Sequence, residues 1–274
     1  MRSNFASKII SRGERLTLNM EWYLILAVVG VGFIAGFINT IAGSGSLLTL
    51  PLLMFLGLPA NVANGTNRIA ILLQNAVGIA TFRQQKIYTF REGFRLGIPA
   101  VVGSVIGARI AVNLDDVMMR KTIGALLVVM FFLVLLKPER WMTSREHTPV
   151  NYWIQAVIFF LTGLYGGFIQ AGVGFFLLAG LVLGSGYELV KANAIKVLIN
   201  FLFTPFALVI FIIHKQVDYK LALILAAGNM LGAFVAARIA IRRGAGFVRY
   251  ILVIALSLAS LELLGVFDWI ISLF

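Results

Sequence analysis

Long apolar segments alternate with short polar ones along this chain of 274 residues. Several of the apolar segments approach the roughly 20 residues that a helix needs to cross a bilayer. These segments are residues 22–42, 94–112, 122–136, 152–169, 192–213, 221–241 and 247–270. They are apolar on every face, whereas the strands of a membrane β-barrel alternate in polarity. The pattern predicts an all-α, polytopic membrane helix bundle of about eight transmembrane helices.

Composition and charge agree with a membrane location. Hydrophobic residues make up 60% of the chain and charged residues 12%, which is too apolar for a soluble domain. The net charge of +12 arises from Lys and Arg between the apolar segments, as the positive-inside rule describes. We therefore expect segments 83–95 and 137–150 in the cytoplasm, Asp115 and Asp116 on the opposite side, and no nucleic-acid partner. The chain has no cysteine and two isolated histidines, so we expect no metal site and no cofactor.

Three successive stretches of the chain recur later in the same order. The pairs are GFIAGFINTIAGSG with GLYGGFIQAGVG, VANGTNRIAILLQN with KANAIKVLINFLF, and GSVIGA with GNMLGA (32–45 and 163–174, 62–75 and 191–203, 103–108 and 228–233). Several matches in one order indicate a duplication. The sequence therefore predicts two homologous transmembrane repeats, 21–137 and 151–274, with a polar linker at 138–150 and a cytoplasmic segment at 1–20.

The symmetry between the repeats depends on the segments SLLTLPLLMFLG and FFLLAGLVLGSG, which follow the glycine-rich stretches. Each has only about a dozen residues, which is short for a membrane crossing. If both are re-entrant, the basic segments stay on one side and the repeats run parallel. If both cross while tilted, the repeats are inverted. The distribution of charge favours the re-entrant, parallel arrangement.

The glycines have two predicted uses. Gly-xxx-Gly lets two helix backbones approach closely, so helix packing accounts for Gly32/Gly36, Gly103/Gly107 and Gly228/Gly232. The closely spaced glycines of AGSGS and AGVG break a helix instead, and broken backbone at membrane depth must line a cavity or be buried in protein. The amides that begin the next short helix attract anions. We therefore predict substrate-binding residues at both breaks, with a purely structural break as the alternative: Asn39, Gly43, Ser44, Gly45, Ser46, Gln170, Gly172 and Gly174.

Each repeat also carries a cation near the start of a later apolar run. Arg68 ends the polar stretch NGTNR and is followed by fourteen residues without a charge. Lys196 lies in the matching stretch of the second repeat, one position out of register. A charge buried there costs several kcal/mol unless it meets a counter-charge or water. We predict that both cations hold an anion together with Thr66, Asn67, Asn193 and Asn200; the alternative is that they extend to the lipid headgroups.

These residues carry a resemblance to a known family. AGFINTIAGSGSLLTLPLLMFLGLPANVANGTNR in the first repeat and GGFIQAGVG with KANAIKVLIN in the second resemble the TauE/SafE sulfite exporter family, also called the toluene-sulfonate uptake permease family. The resemblance covers nearly the whole chain from Met20. It implies a duplicated bundle of about eight helices in the bacterial inner membrane that moves sulfite, sulfoacetate or other organosulfonates. The family often places a basic residue where Val197 stands, whereas here the charge is on Lys196.

The leading functional prediction is a secondary transporter that exports a small sulfur-containing anion. No GxxxxGK[ST] phosphate loop occurs, which argues against an ATPase. The alternatives are an anion channel, a carrier of another small organic anion in the uptake direction, and a non-transporting assembly partner. An intramembrane enzyme would need a nucleophile–base pair or metal ligands that the apolar segments lack. Further expectations are contact with membrane lipids, a proton or Na+ as coupling ion, and a homodimer.

Overall fold

The computed structural model of this protein describes residues 22–84, 87, 90–135 and 150–263. Within that part the chain forms nine α-helices and no strand, which confirms the all-α prediction for those residues. The helices are α1 (Trp22–Ala42), α2 (Ser46–Phe55), α3 (Ala60–Gln84), α4 (Phe90–Val112), α5 (Asp116–Leu135), α6 (Tyr152–Phe168), α7 (Val173–Ala179), α8 (Leu189–Ile213) and α9 (Tyr219–Leu263). A π-helical turn, Gly180–Gly184, extends α7. The predicted segment 1–20 and the linker 138–150, apart from Val150, lie outside the described residues.

Among the described residues, four helices are long and apolar enough to cross a membrane: α1, α4, α8 and the part of α9 from Tyr219 to Arg243. All four coincide with apolar segments of the sequence. α9 differs from expectation, because segments 221–241 and 247–270 were predicted as separate runs and the helix continues through both as far as Leu263. The intervening RRGAG contains no proline, and a glycine inside a helix costs only about 1 kcal/mol.

Apart from α2 and α7, the helices begin at two opposite ends of the bundle. We call one the linker end, because α4, α6 and α8 begin there next to the linker. At this end Lys191 of α8 pairs with Glu92 of α4 at 3.7 Å, and Arg95 of α4 lies 4.2 Å above the ring of Tyr152. We call the other the far end, where α3, α5 and α9 begin. There the Ala60 amide donates to the Asp116 carboxylate.

The two short helices return to the end from which they came. The Val150 amide donates to the Gly184 carbonyl at 3.0 Å, so α6 and α7 enter from the linker end and go back to it. α1 runs parallel to α9 from the far end, since Gly228 of α9 lies against Val29 and Gly232 against Phe33. α2 then leads back to the far end, where α3 begins. The α1–α2 and α6–α7 pairs are therefore helical hairpins that enter from opposite ends.

The helices that follow the hairpins run in opposite directions. α3 leads from the far end to the linker end, and α8 leads back, because Gly65 lies against Gln216 and Gly78 against Val197. From the sequence, two re-entrant segments are expected to give parallel repeats. The structure contradicts this, because the two hairpins return to their own ends while α3 and α8 run in opposite directions. The first half of the described chain has five α-helices (α1–α5) and the second has four (α6–α9), and the second hairpin begins at the opposite end from the first.

The Gly-xxx-Gly pairs pack helices tightly, as predicted. A Cβ added to Gly36 of α1 would lie 2.2 Å from the Asn229 carbonyl oxygen of α9. A Cβ added to Gly103 of α4 would lie 2.1 Å from the Phe160 carbonyl oxygen of α6. Real Cβ atoms do not come so close, so only glycine allows these backbones to touch. The apolar core lies around these two interfaces and between the hairpins.

Candidate functional site

The turns of the two hairpins meet inside the bundle. Gly43 and Gly172 have φ values of +78° and +70°, in the left-handed region that favours glycine. The Gly174 amide donates to the Gly43 carbonyl at 3.2 Å. A Cβ on either Gly43 or Gly174 would lie 2.3 Å from the other's backbone. The predicted breaks are therefore joined to each other, backbone against backbone.

All fourteen residues predicted to bind substrate are buried, and the structure brings most of them to the hairpins and the helices beside them. They are Asn39, Gly43, Ser44, Gly45, Ser46, Thr66, Asn67, Arg68, Gln170, Gly172, Gly174, Asn193, Lys196 and Asn200. Their role as ligands stays a prediction.

Arg68 contacts the C-terminal end of α6. Its Nη1 donates to the Gly166 carbonyl at 3.0 Å, and its Nη2 donates to the Gly167 carbonyl at 2.6 Å and more weakly to that of Phe168 at 3.4 Å. Its guanidinium carbon lies 4.5 Å from the centre of the Phe211 ring. The side chain is fully buried, at 0% exposure, so it does not extend to the headgroups.

Lys196 contacts the C-terminal end of α1 in the same manner. Its Nζ donates to the carbonyls of Asn39 at 3.0 Å and Thr40 at 2.8 Å, and to the Asn193 side chain at 2.7 Å. Its exposure is 2%, which also excludes the headgroup alternative. Val197, where the family often has the charge, instead faces Gly78 of α3.

The two cations follow one design. Each lies in the helix after a hairpin and reaches the last turn of the first hairpin helix in the other half of the chain. Carbonyls at a helix C-terminus have no intrahelical partner, and the helix dipole is negative there, so a cation is stabilised. Arg68 and Lys196 thus meet neutral oxygens, and they are the two charged side chains that are buried in the described part of the chain.

Amide side chains surround each hairpin turn. In the second half, Gln170 donates to the side chains of Asn200 at 2.9 Å and Thr204 at 2.8 Å. Beside the first hairpin, Asn39 of α1 and Asn229 of α9 both donate to Gln74 of α3 at 3.3 Å. Gln74, Thr204 and Asn229 were not singled out in the sequence. The available signal was a polar residue inside an apolar helix, a position that is costly unless it has a partner.

Several buried polar atoms near the turns have no hydrogen-bond partner. The donors are Arg68 Nε and the side-chain nitrogens of Asn67, Asn75 and Asn193. The acceptors include the side-chain oxygens of Gln170 and Asn229. A buried group of this kind costs about 1–3 kcal/mol, so unpaired donors beside two cations favour a ligand that accepts hydrogen bonds.

Some predicted residues have other contacts. The Thr66 hydroxyl accepts a hydrogen bond from the Asp218 amide at 2.9 Å, in the loop before α9. Asn67 accepts one from Thr49 at 2.7 Å, which joins α3 to α2. A Cβ on Gly45 would lie 2.1 Å from the Ala35 carbonyl oxygen, so this glycine serves the close approach of α2 to α1. Ser44 and Ser46 stand on either side of it.

Comparison with known proteins supports a transport role. A family model described as sulfite exporter TauE/SafE matches residues 28–263. The chain is 26% identical over 247 residues to the probable membrane transporter protein ORF9 of Sinorhizobium sp, covering 90% of this chain and 95% of the relative. It is 28% identical over 236 residues to the probable membrane transporter protein YfcA of Escherichia coli K12, covering 85% and 87%.

A third relative, a probable membrane transporter protein of Haemophilus influenzae, is 26% identical over 231 residues, or 84% of this chain and 91% of the relative. No solved structure matches the chain. The three relatives are named as transporters rather than as enzymes. Since the family model spans most of the chain, the resemblance noted in the sequence is confirmed, and the protein belongs to the sulfite exporter TauE/SafE family.

Proposed function

We propose that this protein is a secondary transporter of the bacterial inner membrane that exports small sulfur-containing anions such as sulfite or organosulfonates. The observation that carries the proposal is the pair of buried cations, Arg68 and Lys196, which have carbonyl and amide oxygens as partners. Two positive charges in a low-dielectric interior are costly without an opposite charge. An anion between the hairpins would neutralise charge and accept hydrogen bonds from the unpaired donors.

The arrangement of helices favours a carrier over a channel. The hairpin turns touch at Gly43 and Gly174, so an anion cannot pass between them unless they separate. Broken helices that enter from opposite sides and meet inside the bundle are typical of transporters with inverted repeats. We therefore propose two inverted repeats, in which α1, α2, α3 and α4 correspond to α6, α7, α8 and α9, with about eight transmembrane crossings in total.

Sulfite and the export direction come from the family description, and the organosulfonates from the resemblance in the sequence. Both kinds of substrate present oxyanion oxygens to cationic donors. The coupling ion, a proton or Na+, and the homodimer stay predictions. Each can be tested on the reconstituted protein, the first by imposing either gradient and the second by its mass in detergent.

The decisive experiment measures efflux of labelled sulfite and of a labelled sulfonate from proteoliposomes. Arg68→Gln and Lys196→Gln keep a donor for the carbonyls but remove the charge, so we expect each to lose at least about tenfold in rate, as loss of a charged hydrogen bond of roughly 1.5–3 kcal/mol implies. Arg68→Lys keeps the charge without the planar two-pronged geometry and should retain part of the activity.

The matched control is Arg120→Gln. Arg120 is a helical arginine whose exposed side chain pairs with Asp116 at 3.6 Å, and its loss should leave efflux unchanged. Unfolding temperatures of all variants separate loss of function from loss of fold. Wild-type efflux by folded Arg68→Gln and Lys196→Gln would refute the anion site.

A further inference from the structure

Two rows of closely packed glycines join helices from different halves of the chain. α1 packs on α9 through Gly32, Gly36, Gly228 and Gly232. α4 packs on α6 in the same way, through two glycines of each helix. In all of these positions a Cβ would lie within 2.9 Å of the partner backbone. Backbones packed this closely cannot slide past each other without losing the fit of every glycine in the row.

Two further interfaces extend this grouping. α3 packs beside α9, where the Asp218 amide donates to Thr66 and Asn229 donates to Gln74. α4 packs beside α8, where a Cβ on Gly97 would lie 3.8 Å from the Leu202 Cβ. The described helices therefore form a first bundle of α1, α2, α3, α5 and α9 and a second bundle of α4, α6, α7 and α8. Each bundle contains one helix from the other half of the chain. The first bundle contains α9 of the second half, and the second bundle contains α4 of the first half.

Both buried cations cross the boundary between the bundles. Arg68 belongs to the first bundle and donates to the end of α6 in the second. Lys196 belongs to the second bundle and donates to the end of α1 in the first. Arg68 follows the start of α3 by eight residues, about 12 Å from the far end at 1.5 Å per residue. Lys196 follows the start of α8 by seven residues, about 10 Å from the linker end.

We infer that the transporter moves as these two exchanged bundles, and not as its two sequence halves. Arg68 holds the bundles together near the far end, and Lys196 holds them together near the linker end; we call these two residues the latches. The inference rests on the proposed transport function and assigns its moving parts. Opening at the far end separates α3 from the end of α6 and breaks the bonds of Arg68. Opening at the linker end separates α8 from the end of α1 and breaks those of Lys196.

The latches also couple opening to the substrate. A cation that leaves its carbonyls inside the protein needs another partner, and an entering anion offers a stronger one. The anion therefore replaces the carbonyls at the open end while the other latch stays closed. This exchange gives each cation two alternating partners and favours opening at one end at a time.

The first test removes each latch and measures access to the turns. The chain has no cysteine, so a single reporter can be placed at Ala171, beside the end of α6, or at Ala42, beside the end of α1. Both positions are buried. We expect Arg68→Met to raise labelling of Ala171→Cys by an impermeant thiol reagent several-fold from the far side only. Lys196→Met should raise labelling of Ala42→Cys from the linker side only.

The controls are Arg68→Gln and Lys196→Gln, which keep a donor and should change labelling less than the Met variants. Unchanged labelling in both Met variants, or increased labelling of both reporters by one variant, would overturn the latch assignment. Labelling needs no substrate, so its result is independent of the efflux measurements. If the unmodified protein does not transport sulfite but the Met variants show the expected one-sided labelling, the proposed substrate is refuted and the latch assignment is not.

The second test distinguishes bundles from halves and leaves the cations in place. Gly97→Cys with Leu202→Cys forms a disulfide between α4 and α8, for which the 3.8 Å Cβ separation is suitable. This bond joins the two halves but lies within the second bundle, so the oxidised protein should keep its transport rate. The matched pair is Gly78→Cys with Val197→Cys, where a Cβ on Gly78 lies 3.0 Å from Val197 Cγ1.

The matched disulfide joins α3 to α8 and crosses the bundle boundary, so oxidation should stop transport and reduction should restore it. If oxidation of the Gly97→Cys/Leu202→Cys protein stops transport reversibly, the two sequence halves move against each other, and the proposal that the exchanged bundles are the moving parts is wrong. If oxidation of the Gly78–Val197 pair leaves transport unchanged, α3 and α8 do not separate and the inference fails as well.

Discussion

Single residues show how a membrane interior accommodates polar groups that a bilayer rejects. Arg68 and Lys196 avoid the full cost of a buried charge because each meets helix-end carbonyls, at the negative end of a helix dipole. The glycines at the turns serve backbone contact, since Gly43 and Gly174 touch each other. Under the proposed function, an anion supplies the counter-charge to the two cations, and the turn contact has to open before the anion can enter.

Gly45 provides a prediction at this scale. We expect Gly45→Ala to lower the unfolding temperature and the transport rate, because its Cβ would lie 2.1 Å from the Ala35 carbonyl oxygen and force α2 away from α1. Overpacking of this kind costs about 1–3 kcal/mol. Gly30→Ala on α1 is the matched control, since nothing lies within 4 Å of its added Cβ. Equal unfolding temperatures for the two variants would contradict the close approach of α2.

Individual helices are matched to neighbours from the other half of the chain. α4 and α6 run parallel, with Gly103 against Phe160 and Gly107 against Leu164. α1 and α9 have the same relation. The Gly-xxx-Gly spacing indicates that such close contacts form. It does not name the partner, because one small-residue face fits any other with the same spacing.

The element-scale prediction concerns the α4–α6 interface. Gly107→Ala should destabilise the protein by about 1–3 kcal/mol, since its Cβ would lie 1.9 Å from the Leu164 carbonyl oxygen. Gly124→Ala on α5 has open space around its Cβ and should have no such effect. Thermal unfolding in detergent measures both. A Gly107→Ala protein as stable as the Gly124→Ala protein would show that α4 and α6 do not touch as described.

At the scale of the whole molecule, the basic segment at residue 90 and the start of α6 share the linker end, and Asp115 and Asp116 lie at the far end. This grouping agrees with the sequence-based expectation that segments 83–95 and 137–150 share one side of the membrane. The positive-inside rule then predicts a cytoplasmic linker end. That orientation places the start of α1, at the far end, on the opposite side and conflicts with the expected cytoplasmic segment at 1–20. Labelling tests this assignment without reference to substrate.

We expect Arg140→Cys to react with an impermeant reagent only from the cytoplasmic side, and Asp115→Cys only from the periplasmic side. Right-side-out and inside-out vesicles supply the two sides, and the cysteine-free parent chain is the blank. Labelling of both cysteines from the same side would contradict the placement of the linker end and the far end on opposite sides of the membrane. Labelling of each from the reverse side would invert the orientation and leave the fold as it is.

The sequence by itself determined the class of the protein and much of its inventory. Apolar runs predicted the helices, because lipid leaves an intrahelical bond as the way to satisfy each backbone amide. Glycine spacing predicted which helices carry a close-packing face, and internal repetition predicted two repeats, each with a glycine-rich break followed by a cation. Each of these signals is found in short stretches of sequence, either alone or compared with a second stretch.

The tertiary structure decided the relations between elements that are far apart in the chain. It decided that Arg68 meets the end of α6 and Lys196 the end of α1, and that α4 and α9 pack on helices of the opposite half. It also decided that the two hairpins enter from opposite ends and are followed by helices that run in opposite directions. The physical reason is that a buried cation or a glycine face specifies what its partner must offer, an oxygen or a close backbone. Only the packing of the whole chain determines which segment offers it.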